Sequence, residues 1–176
     1  MKYVWLLIMI ILLGTTTNCS KIDNYYHIKK FLGKSFVFPD SLTIKNQGEM
    51  TCNPLLKNAR YRIINYLDTT QCVPCESNFH KWQLFKYKLD SLKLNTEIIF
   101  VIWHKDYSEV ELAQKANKCD IPCVYDSNNR IGELNNISLD FRYHTFLLDS
   151  LNKILLIGDP IRNKAIQDLY LRRMSS

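Results

Sequence analysis

Two short runs of large apolar residues, YRIINYL at 61–67 and EIIFVIW at 97–103, flank a stretch with a helical apolar period. In that stretch Phe79, Trp82, Phe85, Leu89 and Leu92 recur every three or four positions, which predicts one amphipathic helix from Pro74 to Leu94. The two runs read as buried strands, because they are short, continuous and rich in Ile and Tyr. Downstream, Ser108 and Glu111 form a capping box expected to open a helix through Asn117. IPCVYD (121–126) follows as a third strand starting at Cys123, and then YHTFLLD and NKILLIG as two strands joined by a tight turn through Ser150 and Leu151. Asp159 and Pro160 read as N-cap and first residue of a last helix carrying Ile166, Leu169 and Tyr170 on one face. The order βαβαβ followed by ββα predicts an α/β fold with a mixed central sheet flanked by helices. Upstream, KSFVFPDSLTI suggests a hairpin turning at Pro39 and Asp40 that extends the sheet edge.

The N-terminus sets the chemical surroundings. Lys2, an apolar run from Val4 to Leu13, Gly14 and three threonines have the layout of a secretory signal. The run is far shorter than the roughly 20 residues a membrane-spanning helix needs. Cys19 lies where a bacterial lipoprotein signal places the cysteine that is acylated, and LLGTTTNCS resembles such a lipobox, with Thr16 and Asn18 departing from its usual residues. The expected organisation is a signal peptide over 1–18, an N-terminal tether and β extension over 19–60, and the principal domain over 61–176. The expected location is the cell envelope, on its periplasmic or extracytoplasmic face, with the membrane reached through lipid on Cys19. That compartment is oxidising, so paired cysteines there read first as disulfides. The net charge of +6 is spread over helices and turns without clustered aromatics, and reads as a solvated surface rather than a nucleic-acid footprint. With five glycines, no phosphate-binding loop is present.

TTQCVPCESN (69–78) puts Cys72 and Cys75 two residues apart, at the junction between the first strand and the long helix. Such a pair binds a metal, closes a structural disulfide, or exchanges electrons with other thiols. The strand, then Cys72-Val73-Pro74-Cys75 opening a helix, then the hairpin TFLLDSLNKILLIG, resembles the thioredoxin-like family, in particular its exported TlpA and ResA type of thiol-disulfide oxidoreductase. The resemblance covers about residues 30–173 and implies a thioredoxin-like fold with an N-terminal hairpin extension. It also implies exchange with protein thiols and disulfides and an unidentified redox partner, with no cofactor and no metal.

In that reading a helix N-terminus offers unpaired N–H groups and a partial positive charge that stabilise a thiolate. Cys72 is then the exposed nucleophile and Cys75 the shielded thiol that resolves the mixed disulfide, while Pro74 fixes its own φ and tunes the pair. Three departures from the family stand out. Gln71 replaces the usual aromatic before the first cysteine. Tyr143 occupies the place of the family's cis-proline, where a trans bond is expected because a cis bond costs about 2.5–4 kcal/mol before a non-proline residue. The family's buried acid falls at Tyr66, leaving Asp68 and Glu76 as nearby carboxylates. His144, next to Tyr143, is a candidate proton shuttle, or else a partly exposed loop histidine.

The remaining cysteines carry less. Ile121 before Pro122 is held extended, so Cys119 and Cys123 are expected as buried, unpaired thiols, with a redox relay to Cys72 and Cys75 as the sharper idea. Cys52 has no evident mate. Two other functions remain open: four thiolates from Cys72, Cys75, Cys119 and Cys123 could bind zinc, or the chain could be a non-catalytic thioredoxin-like binding or scaffold lipoprotein.

Overall fold

The computed structural model describes residues 26, 28–68, 72, 77–138 and 140–176. The chain divides into two units, Met1–Leu32 and Gly33–Ser176. In the first, the described residues end a helix at Phe31, where the Leu32 N–H donates to the Ile28 carbonyl.

The second unit is built on seven strands: β1 (Thr43–Asn46), β2 (Glu49–Met50), β3 (Tyr61–Leu67), β4 (Thr96–Ile102), β5 (Cys123–Tyr125), β6 (Thr145–Asp149) and β7 (Ile154–Ile157). Their order across the sheet is β2-β1-β5-β4-β3-β6-β7. β3, β4 and β5 run parallel, joined by the helices α1 (Phe79–Ser91) and α2 (Ser108–Ala116), as strands linked by crossovers must be. β6 pairs antiparallel with β3, β7 with β6, and β1 with β5, so the sheet is mixed. A short helix, α3 (Arg130–Asn135), precedes β6, and α4 (Lys164–Ser175) ends the chain.

Every residue of β3 is buried, which explains a run with no polar alternation: the strand lies at mid-sheet with both faces covered. On one face Tyr61, Ile63 and Leu67 join Ile98, Phe100 and Ile102 of β4 in a core that also takes Phe79, Trp82, Phe85 and Leu89 of α1 and Tyr170 and Met174 of α4. Phe79 and Trp82 meet the Phe100 ring edge-on at 5.0 and 5.9 Å. On the other face Phe36 packs on Phe146 at 5.4 Å.

Several sequence expectations are corrected. The hairpin turns at Gln47 and Gly48, not at Pro39 and Asp40; both residues have positive φ (53° and 90°), as the two-residue turn matching strand twist requires. It does extend the sheet edge, through β1 on β5. Ser35, upstream, bridges Lys153 beside β7, so the segment between them passes from one edge of the sheet to the other. Ser108 is not a cap: its N–H is held by Asp106 Oδ1 at 2.9 Å, and Glu111 turns instead to Lys45 and Tyr125. The last helix starts later, capped by Asn163, while Asp159 Oδ1 holds the Ile161 N–H in the preceding turn. Leu92 and Leu169 are exposed rather than core. Tyr143 and His144 precede β6 in a 3₁₀ turn over Phe141–Tyr143 and its cap.

Candidate active site at the carboxyl end of the central strand

The cysteine segment leaves the sheet where β3 ends. The Leu67 carbonyl still accepts the Trp103 N–H at 2.8 Å, Asp68 is buried, and Cys72 follows four residues later, exposed to solvent and disulfide-bonded. Its partner is none of Cys52, Cys119 and Cys123, which are free. Gln71, Pro74, Cys75 and Glu76, like Cys19, lie outside the described residues.

The predicted helix from Pro74 is corrected: Asn78 stands in the left-handed region (φ 49°), and α1 begins after it at Phe79. Asn tolerates that conformation at low steric cost, so the helical pattern read from the apolar stripe is interrupted. The N-terminal N–H groups of α1 therefore start at Phe79 and beyond, and Pro74 to Glu76 of the predicted helix lie outside the described residues.

β6 brings a second group to the same strand end. Thr145 pairs with Asn65 in the ladder and its hydroxyl donates to Asn65 Oδ1 at 3.0 Å. One residue earlier, the His144 carbonyl accepts the Tyr66 N–H at 2.8 Å. The His144 side chain is 2% exposed, so it is no partly exposed loop histidine. Its Nε2 lies 2.6 Å from the Ser138 carbonyl, which can only accept; Nε2 therefore carries the proton. Nδ1 has no hydrogen-bond partner among the described residues. Burial pulls the imidazole below its ordinary pKa, against the opposing effects of the Ser138 carbonyl, the Asp68 and Asp140 charges and the Tyr66 backbone.

The Tyr66 ring meets that of His144 edge-on at 5.2 Å, and its hydroxyl donates to Asn129 Oδ1 at 2.6 Å. Burial raises the Tyr66 pKa, and the charges of Asp68, Asp126 and Glu133 raise it further. Tyr66 thus stays protonated and supplies a hydrogen-bond donor where an acid would supply a base. Tyr143 is buried, and no cis peptide bond occurs among the described residues, so its bond is trans as expected.

Cys119 and Cys123 belong to the core beneath α1, both fully buried and free. Burial pushes the Cys119 thiol up to about 11 and Cys123 well above its ordinary value, the latter helped by neighbouring Cys119. Thiols so placed are poor thiolate donors to a metal or a disulfide. Among the described residues no group of three or more His, Cys, Asp or Glu side chains is arranged to hold a metal ion. Ser138 and Asn129, which fix the orientation of His144 and Tyr66, carry no signal in the sequence, because both contacts span loops.

No protein-family model and no curated protein matches this sequence. Solved structures do match. A Chlorobium tepidum protein described as the thiol:disulfide interchange protein DsbE superposes with TM-score 0.60 at 16% identity, over 81% of this chain and 99% of its own. A Cytophaga hutchinsonii domain described as a thiol-disulfide isomerase gives 0.59 at 16% identity, over 82% and 96%. A thioredoxin-like protein in its oxidised form gives 0.58 at 12%, over 84% and 98%. The chain has a thioredoxin-like fold. In this thioredoxin-like sheet, the end of β3, from which the chain runs on to Cys72, meets the start of β6.

Proposed function

We propose that this protein is an exported thiol-disulfide oxidoreductase whose reactive pair is Cys72 and Cys75. The observation that carries the reading is the state of the described cysteines: Cys72 is exposed and disulfide-bonded, while Cys52 is exposed and free and Cys119 and Cys123 are buried and free. Only a sulfur that solvent reaches can meet a partner disulfide, and a thioredoxin-like fold supports the assignment. In the reductive direction the Cys72 thiolate attacks one sulfur of the partner disulfide. A Cys72–partner bond forms, and the other partner sulfur leaves as thiolate. The Cys75 thiol then loses its proton and attacks the Cys72 sulfur, forming Cys72–Cys75 and releasing the second partner thiolate; two electrons pass from the dithiol to the partner. The reverse sequence oxidises a partner dithiol. Substrates are protein thiols and disulfides, and neither half-reaction needs a cofactor.

The first test is the reduction potential of the pair, measured by equilibrating the soluble protein from residue 20 in glutathione or dithiothreitol buffers and trapping free thiols. A reversible two-electron midpoint that disappears in Cys72→Ser is expected, and Cys75→Ser should accumulate mixed disulfides with its partner in cells. No reversible transition would move the protein to the scaffold reading.

The residues from Lys2 to Cys19 support export and acylation at Cys19, and among the described residues no helix is long and apolar enough to cross a membrane. Labelled palmitate should enter the wild-type protein and not Cys19→Ser. Incorporation that survives this substitution would sink the anchor assignment.

A further inference from the structure

The outer face of α1 is neither core nor wholly polar. Leu84 and Tyr87 stand 53% and 56% exposed on that helix, between Lys81 and Lys88, which are exposed as well. Residues three, four and seven apart share one face of a helix, so the four side chains form one patch. Beside it a groove of about 280 Å³ lies between α1 and the approach to α4, lined by the apolar Leu84, Phe85 and Ile161 and by Lys81, Lys88 and Gln167. Neither lysine has a carboxylate partner among the described residues: Lys88 Nζ donates to Gln167 Oε1 at 3.4 Å, and no ion pair there includes Lys81. The acids nearest in sequence to Gln167 and Ile161 are already engaged, Asp168 by Lys164 and Asp159 by Arg162 at 3.2 Å. A single exposed leucine is ordinary on a protein surface. A leucine and a tyrosine set between unpaired cations are the pattern of a helix face that lies on an anionic bilayer. The apolar group and the amphipathic ring enter the interface, and the lysine stems lie along it with their charges at the headgroups.

We propose that the face of α1 carrying Lys81, Leu84, Tyr87 and Lys88, with the groove beside it, docks on an anionic phospholipid surface. The two lysines are two helical turns apart, about 10 Å along the axis, so one row of lipid phosphates meets both. Each lysine at such a surface strengthens binding about fivefold, and the two partly inserted side chains add to this. The contact is therefore weak and salt-sensitive, and it suffices for a domain that is already tethered. At most about 50 Å of chain joins Cys19 to Gly33, so acylation at Cys19 keeps the patch at a high local concentration of headgroups. That tether favours a bilayer over an acidic protein segment, which the same charges would also attract. The inference rests on the anchoring reading for this choice of partner, and on the structure alone for the patch. Its consequence is orientation: a domain docked through α1 holds one pose on the bilayer, whereas one held by its tether alone tumbles.

The test uses the full chain in nanodiscs of phosphatidylcholine alone, or of phosphatidylcholine and phosphatidylglycerol in equal parts. Each disc carries a nitroxide at the lipid headgroup, and leucine methyl signals are followed by NMR. In the anionic discs the Leu84 methyls should broaden, while those of Leu134 on α3 and Leu151 in the β6–β7 turn, both exposed, stay sharp. Neutral discs should leave Leu84 sharp, and high salt should restore its signal in the anionic ones. The double substitution Lys81→Gln with Lys88→Gln, confined to exposed positions, should weaken docking about tenfold or more. Leu84 methyls that stay sharp in anionic discs, broaden equally in neutral ones, or broaden together with Leu134 and Leu151 would overturn the proposal. So would broadening that the double substitution leaves intact, or a chain that associates with neither disc. If a soluble glutamate-rich peptide shifts the Leu84 signal while anionic discs leave it sharp, the face belongs to an acidic protein and the membrane assignment is overturned. Failed palmitate labelling sinks the lipid at Cys19 alone, because the contrast between anionic and neutral discs does not depend on how the chain reaches them.

Discussion

Residue by residue, the cysteines differ in reactivity for reasons that exposure and charge make explicit. The thiolate is the nucleophile, so a thiol held at about 11 is ionised to roughly one part in a thousand at pH 8, before its inaccessibility is considered. Cys119 and Cys123 should therefore resist a maleimide pulse in the native protein, while the exposed Cys52 reacts at once. Reduction should add label at Cys72, and only denaturant should release the two core thiols. Mass mapping after a one-minute pulse reads this directly. Labelling of Cys119 or Cys123 at the pace of Cys52 would contradict the packing. The burial of these two was legible in advance, because Ile121 before Pro122 keeps the chain extended between them and Cys123 opens an apolar strand. The burial of His144 was not. It depends on Thr145 finding Asn65 across the sheet and on a carbonyl at Ser138, and no local pattern encodes either contact.

Among the elements, those buried on both faces were the most legible. Tyr61–Leu67 is the strand that the apolar run predicts, residue for residue, because a mid-sheet strand needs neither polar alternation nor a special turn. Boundaries set by single side chains were less so. Pro39 and Asp40 have the composition of a turn, yet the chain turns at Gln47 and Gly48. The Gln47 N–H there is held by Gln114 Oε1 at 2.8 Å and its amide reaches the Cys119 carbonyl at 3.1 Å. Gln114, a polar residue of α2, is fully buried, donating to the Ile121 carbonyl at 2.6 Å and to Asn46 at 3.1 Å. One glutamine thus ties α2, the hairpin and the entrance to β5, and sequence reasoning has no means to foresee it. The interruption of α1 at Asn78 is of the same kind: the apolar stripe from Phe79 to Leu89 fixes the helix face, whereas its start is decided by one left-handed residue.

For the whole molecule, the buried imidazole makes stability depend on pH in a defined direction. His144 has its folded pKa lowered, by burial first, so between that value and about 6.5 the unfolded chain binds more protons than the folded one. The contribution is intact above about pH 6.5 and is lost as pH falls through the folded pKa, with a slope that for one group cannot exceed about 1.4 kcal/mol per pH unit. Asp159 acts in the opposite sense: burial raises its pKa despite its hydrogen bonds and Arg162, so it favours the folded state increasingly as the pH falls toward the ordinary carboxylate range. The two are separable by substitution, since Asp159 sits in the turn before α4 and His144 at the start of β6. Urea midpoints for wild type and His144→Gln at pH 7.5, 6.5 and 5.5 should diverge in one way. The wild type loses stability across the lower interval, and the variant loses less, so the difference between them narrows or reverses on acidification. A difference that stays constant from pH 7.5 to 5.5 would mean that His144 either titrates normally in the folded protein or lies open to water, and the buried strand-end geometry would have to be abandoned.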